Sequence, residues 1–360
     1  MDNLFTKFFP TPRFLKMPAV GLDISDQSIH FAELVPKRQG YVLGRFGQRK
    51  IHPGVMESGV IKDKNGLKRI LSSISREHGI NLVNVSLPEE RAYLVRMSVP
   101  RVKKRDLRGS IEFKLEEYVP LKADEAVFDY RIISESESEY DIEVSALPKP
   151  VAESYFELFD GTGLLPLVFE IEAQAIARAV LPEGDVATRM IVDFGETRTG
   201  LSVVSEGVVM FTSTLGIGGD TLNDAVKKRF GVSQTEAERM KKEYGLVKNP
   251  GDKEFFFTLM QSISVIKDEI NKHFIYWHTH KGPGEKERGR IESIILCGGD
   301  SNLLGFSDYL SVNLKVPVSV GNVWINVNSF DDYVPEISLK ESLRYATAIG
   351  LALGGLKHDD

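Results

Sequence analysis

Cysteine and long apolar runs are nearly missing from this sequence. Cys297 is the one cysteine among 360 residues, which excludes a disulfide within the chain and a cysteine-rich zinc cluster. No uninterrupted apolar run approaches the ~18 residues that a membrane-spanning helix needs. The net charge of −6 provides no general attraction to nucleic acid or to an anionic membrane. We therefore expect a cytoplasmic protein without a nucleic-acid partner.

Two common catalytic motifs are also missing. The sequence has no G-x-x-x-x-G-K-[ST] segment, which excludes the P-loop mechanism of phosphate binding. It has no G-x-S-x-G segment, and Cys297 lies in an apolar strand pattern that favours a core position over a nucleophile. No residue is recognisable as a base that activates water.

Local patterns predict alternating strands and helices. Two strands with a polar turn between them are expected at 19–34, and apolar spacing with N-cap and glycine signals predicts a helix at about 63–78. Further helices are predicted at about 103–118, 253–279 and 340–353. The composition, with 42% hydrophobic and 27% charged residues, is that of an ordinary globular protein.

An internal repeat is the most informative feature. The segment GLDISDQSIH at 21–30 can be aligned with IVDFGETRTG at 191–200, which matches Asp23 with Asp193 and Ser25 with Gly195. Each copy has an aspartate after an apolar strand, then a small or polar turn and a second strand. Turn N–H groups and hydroxyls can bind phosphate oxygens, while an aspartate can hold Mg²⁺ directly or through water. Two such turns that face each other would bind a metal-bound polyphosphate from both sides.

Two glycine signals follow downstream. The strand at 294–297 runs directly into Gly298 and Gly299, where the absence of a side chain lets the backbone approach a base or ribose closely. Gly216, Gly218 and Gly219 precede a helix start, whose unpaired N–H groups favour phosphate or ribose oxygens. Each glycine pair alone is equally typical of a tight turn.

The order of these segments resembles the actin/DnaK/sugar-kinase superfamily and, within it, the PilM family of type IV pilus assembly, which is related to FtsA. The resemblance is carried by VGLDISDQSIHFAEL, DLRGSIEFKLEEYVPL, the link ALPKPVAESYFELFDGTGLLPLVFEIEAQAIARAV, IVDFGETRTGLSVV and GIGGDTLNDAV. It covers nearly the whole chain after residue 18. It implies an α/β, actin-like two-lobed fold of duplicated ribonuclease-H-like domains, with a small α+β subdomain inserted in the first lobe.

The predicted domain limits follow from this resemblance. Residues 1–18 form a flexible tail, residues 84–167 form the inserted subdomain, and residues 224–289 form a helical subdomain of the second lobe. The first lobe comprises 19–83, 168–187 and 340–357, and the second comprises 188–223 and 290–339.

The resemblance further implies ATP and Mg²⁺ as cofactors, with Asp23 and Asp193 as the metal-binding residues. The implied nucleotide-binding residues are Asp23, Ser25, Gln27, Ser28, Asp193, Gly195, Thr197, Thr199, Gly218, Gly219, Lys272, Gly298 and Gly299. The implied partners are the cytoplasmic N-terminal segment of a PilN-like inner-membrane protein, docked between the first lobe and the insertion, and other pilus assembly proteins. Association with the inner face of the membrane would occur through these partners, and self-association stays open.

Several positions depart from the family pattern. The first turn has Ser25 where glycine is usual and Asp26 and Gln27 where small hydroxyl residues are usual, while His30 replaces a basic residue. Glu196 adds a carboxylate to the second turn. Extra negative charge beside phosphates should weaken nucleotide binding unless it is turned away. Efficient hydrolysis of ATP is therefore not expected.

Two other functions stay open at this point: an FtsA-like filament-forming division protein and a small-molecule kinase of the same superfamily. The short, acidic end LALGGLKHDD argues against the first, because it offers no amphipathic membrane helix. The second requires a general base in the first lobe, and none is evident.

The predicted helix at 103–118 also permits two interpretations. Its basic start, PRVKKRDLR, and the later Glu112, Glu116, Glu117 and Tyr118 suit contact with a partner. They equally suit a helix that packs Leu107, Ile111 and Leu115 inward and leaves its charges in water.

Overall fold

The computed structural model describes residues 19–247, 253–280 and 288–357. The predicted tail at 1–18 lies outside the described residues. Contacts within the chain define two units, and each is treated by itself. The first comprises the described parts of 1–88, 153–183 and 322–360, and the second comprises those of 89–152 and 184–321. The sequence-predicted subdomain limits stay a prediction.

The strands of the described residues are β1 Val20–Ile24, β2 Ser28–Pro36, β3 Tyr41–Lys50, β4 Met56–Glu57, β5 Val60–Ile61, β6 Leu82–Leu87, β7 Tyr93–Pro100, β8 Ala126–Glu135, β9 Glu139–Pro148, β10 Leu165–Ile171, β11 Arg189–Phe194, β12 Thr199–Ser205, β13 Val208–Leu215, β14 Ser293–Cys297 and β15 Val318–Val320. The α-helices are α1 Lys64–His78, α2 Lys104–Tyr118, α3 Lys149–Leu158, α4 Glu172–Val180, α5 Gly219–Phe230, α6 Gln234–Tyr244, α7 Lys253–Thr279, α8 Phe306–Leu314, α9 Leu339–Ser342 and α10 Ala346–Lys357.

Each unit contains a five-stranded sheet, and the two sheets share one topology. The first has the order β10-β6-β1-β2-β3 and the second β13-β12-β11-β14-β15. In both, three consecutive strands form an antiparallel meander, and the first of them pairs in parallel with a later strand. The turn that follows β1 therefore corresponds to the turn that follows β11. This equivalence confirms the repeat that was predicted from the two aspartate segments.

Helix α1 shows how local sequence sets the limits of an element. Asp63 is its N-cap and accepts a hydrogen bond from the backbone N–H of Gly66, and Gly79 ends the helix in the left-handed conformation. Leu67, Leu71 and Ile74 are fully buried. The predictions for 63–78, 103–118 and 253–279 are confirmed within one residue at each end.

The inserted α+β segment lies in the second unit as a three-stranded sheet, in the order β7-β9-β8, with α2 on one face. Leu107, Ile111 and Leu115 point from α2 into this small core. On the other face Arg96 of β7 pairs with Asp141 and lies 3.5 Å from the Met210 sulfur of β13. This contact connects the insertion to the large sheet of its own unit.

The C-terminal helix differs from its prediction as one helix at 340–353. A 3-10 turn at Leu343–Tyr345 separates α9 from α10. Leu343 and Tyr345 are both buried, whereas Arg344 reaches Gln48 of β3. Tertiary contacts on two sides of this segment thus override the helical pattern. Among the helices of the described residues, none has the length and apolar content to span a bilayer.

Candidate functional site

The first aspartate turn joins β1 to β2 in the first unit. The Ser25 N–H and its hydroxyl both donate to the Ser28 carbonyl at 3.0 Å, and the two hydroxyl oxygens lie 3.2 Å apart. Gln27 accepts the Ile51 N–H through its backbone carbonyl at 2.7 Å. These bonds hold the turn in one closed conformation and place two hydroxyl groups at its tip.

Asp23 is fixed from a neighbouring strand. Its Oδ1 accepts a hydrogen bond from Ser86 Oγ at 2.9 Å, and the same Ser86 oxygen accepts the Ile24 N–H at 3.0 Å. Ser86 is fully buried and Asp23 nearly so. Ser86 was missed from the sequence, because no local signal links it to a residue 63 positions away.

Asp26 of the first turn is bonded to a neighbouring hairpin. Its carboxylate accepts the backbone N–H groups of Ser58 and Gly59, both at 3.0 Å, at the tip of the β4-β5 hairpin. A carboxylate that is bonded to two amides has a fixed direction. The negative charge that departs from the family pattern at this position is therefore engaged by the hairpin.

A row of polar side chains crosses three strands beside this turn. Asp23 faces His30 on β2, and His30 faces Gln48 on β3. Burial and the positive charge of Arg344 lower the pKa of His30 to about 4, against a raising effect of its hydrogen bond with Gln48. His30 is therefore neutral near pH 7, and Arg344 is the cation beside this row.

The second aspartate turn joins β11 to β12 in the second unit. The Gly195 N–H donates to the Arg198 carbonyl at 3.0 Å, which closes the turn, and Thr197 lies partly buried within it. Thr199 is fully buried and donates its hydroxyl to the Ile217 carbonyl at 2.6 Å. Asp193, partly buried, lies on the strand that leads into the turn.

The predicted glycine segments converge on this second turn. The Gly219 N–H donates to the Gly195 carbonyl at 2.9 Å at the start of α5. A Cβ on Gly218 would lie 2.4 Å from the Glu196 carbonyl oxygen, and one on Gly298 would lie 2.4 Å from Asp193 Oδ1. Such distances leave no room for a side chain. Gly298 also has φ +89°, and Gly299 follows it in the same loop.

Burial raises the pKa of the Asp193 carboxyl above its ordinary range, whereas the positive charge of Arg198 and a hydrogen bond with Cys297 lower it. Burial and the neighbouring Asp193 raise the pKa of the Cys297 thiol well above its usual value. Cys297 is fully buried, which confirms its predicted core position. A bound cation beside Asp193 would relieve the cost of keeping its carboxylate charged.

Three charged residues around the second turn were not predicted: Glu89, Glu90 and Arg198. Glu90, in the 3-10 turn Glu89–Arg91 that opens the insertion, accepts a hydrogen bond from Arg198 at 2.7 Å. Glu89 is buried, and its carboxylate lies 3.6 Å from the position that a Cβ on Gly200 would occupy. The insertion therefore meets the second turn through carboxylates. Among the described residues, no group of three or more His, Cys, Asp or Glu is arranged to hold a metal ion by itself.

Lys241 of α6 is a further residue that the sequence analysis missed. Its ammonium donates to Asp300 Oδ1 at 2.5 Å and to the Gly219 carbonyl at 3.3 Å. Asp300 follows the Gly298-Gly299 pair directly. One buried cation thus connects the start of α5 to the glycine loop.

Lys272, in contrast, lies on the surface of α7. Its side chain is 70% exposed, and its ammonium lies 3.3 Å from Glu269 on the same helix. Its role on the adenine side stays a prediction, as do the roles of the other site residues.

The comparisons with known proteins agree with this architecture. A family model described as type IV pilus assembly protein PilM matches residues 21–356. A solved PilM-PilN type IV pilus biogenesis complex has a TM-score of 0.79 at 20% identity, covering 95% of this chain and 99% of that chain.

Two more distant solved structures show the same fold. MreB 5 of Spiroplasma citri bound to AMPPNP gives a TM-score of 0.56 at 14% identity, covering 93% of this chain and 95% of that chain. The ethanolamine utilization protein EutJ from Carboxydothermus hydrogenoformans gives 0.53 at 18% identity, covering 95% and 93%. These likenesses confirm the predicted actin-like fold. The family match favours pilus assembly over the division-protein and kinase alternatives. The family model spans nearly the whole chain, and this chain therefore belongs to the type IV pilus assembly protein PilM family.

Proposed function

We propose that the chain is a nucleotide-dependent scaffold of pilus assembly that binds ATP with Mg²⁺. The observation that carries this proposal is the convergence, within the second unit, of the turn after Asp193, the start of α5 at Gly219 and the loop at Gly298. Turns and helix N-termini are frequent sites of phosphate binding. Here the N–H groups of Gly195, Gly219 and Asp220 donate to carbonyls of the same turn, so these hydrogen bonds fix the positions of the segments. The glycines leave space for close approach of a ligand.

The charges near the turns fit a metal-bound phosphate better than a bare one. Asp193 has a raised pKa caused by burial, and Glu89 and Glu90 lie close to the same turn. These carboxylates would repel an uncompensated triphosphate. Mg²⁺ held by Asp193 would neutralise phosphate charge when bound. Asp23 is the equivalent carboxylate of the first unit. The role of this chain's residues is to bind and orient the nucleotide.

The solved relatives supply two further supports. MreB 5 of Spiroplasma citri was solved with AMPPNP, and the structure with the TM-score of 0.79 is a PilM-PilN complex. We extend both to this chain: it binds an adenine nucleotide, and it docks the N-terminal segment of a PilN-like membrane protein. The scaffold would then be cytoplasmic and would lie at the inner face of the membrane through its partners.

Isothermal titration calorimetry with ATP tests the nucleotide part. We expect binding with Mg²⁺ and a large loss of affinity after its removal by chelation. Asp193→Asn should weaken binding of Mg-ATP by at least about tenfold, because it removes a charge that holds the metal. The same titration with Asp23→Asn tests the prediction for the equivalent residue of the first unit. Asp224→Asn is the matched control, since Asp224 is an exposed residue of α5 whose partner is Lys227.

A second titration, with a peptide from the N-terminus of the PilN-like protein, tests the partner part. If the peptide binds but ATP does not, the proposed role as a scaffold would stand and its dependence on nucleotide would be rejected. Equal Mg-ATP affinity in the wild type, Asp193→Asn and Asp224→Asn would reject the assignment of the site.

A further inference from the structure

The solvent face of α2 carries a distinctive row of residues. Arg105, Gly109, Phe113 and Glu117 are spaced four apart, and all four are exposed. Residues at i and i+4 are neighbours on a helix, so the four side chains form one continuous row. Phe113 is 84% exposed, the highest value among the large apolar residues of the described part of the chain.

From the N-terminal to the C-terminal end, the row consists of a basic residue, a glycine without a side chain, an aromatic residue and an acidic residue. A Cβ on Gly109 would meet no atom within 4 Å, so this glycine leaves an open notch beside Phe113. Glycine within a helix lowers its stability relative to alanine, and no contact with the described residues requires one here. Packing within the described part of the chain therefore does not account for a glycine at position 109.

Most charges at the two ends of α2 oppose the helix dipole. The helix starts after Lys103, which makes no side-chain capping hydrogen bond, with Lys104, Arg105 and Asp106, and the Asp106 carboxylate lies 3.6 Å from the Arg105 guanidinium. It ends with Glu116 and Glu117 and has no basic residue in its last turn. A helix N-terminus favours negative charge and a C-terminus favours positive charge. This arrangement disfavours the isolated helix. It also makes the row complementary in charge to a second copy of the same row that runs in the opposite direction.

We propose that α2 is a self-association surface, on which the α2 helices of two copies of this chain pack antiparallel about a two-fold axis. One register then satisfies charge and shape together. It places Phe113 of each copy over Gly109 of the other, and Arg105 of each copy opposite Glu117 of the other. Rows of i±4 residues pack against one another in the commonest class of helix contact. A two-fold interface requires a surface of this self-complementary kind.

The neighbours of the row are compatible with this register. Arg108 and Lys114 would face each other across the axis, but both turn towards their own sheet. The Arg108 guanidinium lies 4.4 Å from the centroid of the Phe128 ring, and Lys114 donates to the Ser98 carbonyl at 3.1 Å. Glu116 would face Asp106 of the other copy, but Glu116 accepts the Ala123 N–H at 3.0 Å and Asp106 lies 3.6 Å from the Arg105 guanidinium of its own helix. Repulsion between like charges beside the row is therefore reduced.

One pair of helices forms a small interface, and we expect a weak dimer with a Kd of about 10–100 μM. The proposal does not depend on nucleotide binding. Copies that are held near one another by partners would associate through α2 at a much higher effective concentration.

Sedimentation equilibrium of the full chain at increasing concentration tests the proposal. Arg105→Glu alone and Glu117→Arg alone should each weaken the dimer by about tenfold, because each places like charges opposite one another twice. An equimolar mixture of the two variants should associate as the wild type does, since each contact then joins opposite charges. An asymmetric or unrelated interface would not show this rescue.

Gly109→Ala separates association from folding. Alanine should raise the melting temperature, because it favours the helix, and should weaken the dimer by filling the notch. A mixture of Gly109→Cys and Phe113→Cys chains should form a disulfide-linked heterodimer under oxidation, while either variant alone should form far less. A chain that stays monomeric at several hundred micromolar, or a dimer that Arg105→Glu and Glu117→Arg leave unchanged, would overturn the proposal.

Discussion

Lys241 and Asp300 form an ion pair with 2.5 Å between Nζ and Oδ1, in which 4% of the lysine side chain and 16% of the aspartate side chain are exposed. The lysine also donates to the Gly219 carbonyl. This pair connects α6, the start of α5 and the loop after Gly298, three segments that are distant in sequence. One buried ion pair therefore contacts both candidate nucleotide-binding segments of the second unit, the start of α5 and the loop after Gly298.

Lys241→Met should destabilise the protein by about 3 kcal/mol, because it leaves the Asp300 carboxylate largely buried without its cation. Chemical denaturation measures this change. The double variant with Asp300→Asn should recover part of the loss, since it removes the uncompensated charge. Lys242→Met is the control on the same helix: its exposed pair with Glu238 should contribute less than about 1 kcal/mol. Similar losses for the two lysine variants would contradict the structural role of the buried pair.

Gly218→Ala should disturb the second turn. A Cβ there would lie 2.4 Å from the Glu196 carbonyl oxygen and 2.6 Å from the Arg198 nitrogen, and both are backbone atoms. The turn must shift to admit a methyl group, which should cost about 1–3 kcal/mol of stability and weaken nucleotide binding.

Gly216→Ala is the matched control for that variant. A Cβ on Gly216 would meet no atom within 4 Å, so stability should change by less than about 0.5 kcal/mol. Thermal unfolding and nucleotide titration of the two variants compare them directly. Equal tolerance of alanine at 216 and 218 would show that the turn yields more easily than its backbone contacts indicate.

The sequence predicted features that depend on neighbouring residues or on the repeat. Asp63 and Gly79 set the limits of α1 through local capping, and the two aspartate segments indicated the two equivalent hairpins. In both cases the physical cause lies within a few residues of the feature. Such signals are readable without a structure.

The features that were missed depend on contacts between distant residues. Ser86 binds Asp23 from 63 positions away, and Lys241 binds Asp300 from 59 positions away. Strand β3 was not predicted either, although its ten residues form the edge of the first sheet. Its alternation of apolar and polar residues is weak, and pairing with β2 determines its conformation.

Asp26→Ala should destabilise the first unit by about 1–2 kcal/mol, because the Ser58 and Gly59 N–H groups lose a charged acceptor. Asp26→Asn, which retains one carbonyl oxygen, should cost less. Asp224→Ala removes an exposed ion pair and serves as the control. Denaturant unfolding ranks the three variants. If Asp26→Ala instead leaves stability unchanged and raises nucleotide affinity strongly, the carboxylate acts on the phosphates and not on the hairpin.

His30 should make stability depend on pH below neutrality. Its pKa is lowered from the ordinary value of 6.5 to about 4 in the folded chain, because of burial and the nearby Arg344, while the hydrogen bond with Gln48 opposes the shift. As the pH falls below about 6.5, His30 takes up a proton in the unfolded chain but not in the folded chain. The free energy of unfolding therefore has its full value above pH 6.5 and decreases until the pH approaches 4. The difference corresponds to about 3 kcal/mol.

His30→Gln should remove this dependence and flatten the curve of unfolding free energy against pH between 6.5 and 4, whereas His52→Gln, at an exposed position, should leave the slope as in the wild type. Denaturant titrations at a series of pH values measure the slopes. Parallel curves for the wild type and His30→Gln would mean that His30 takes up its proton equally in the folded and unfolded chains. His30 would then keep its ordinary pKa, and its ring would become positively charged beside Arg344 as the pH falls below about 6.5.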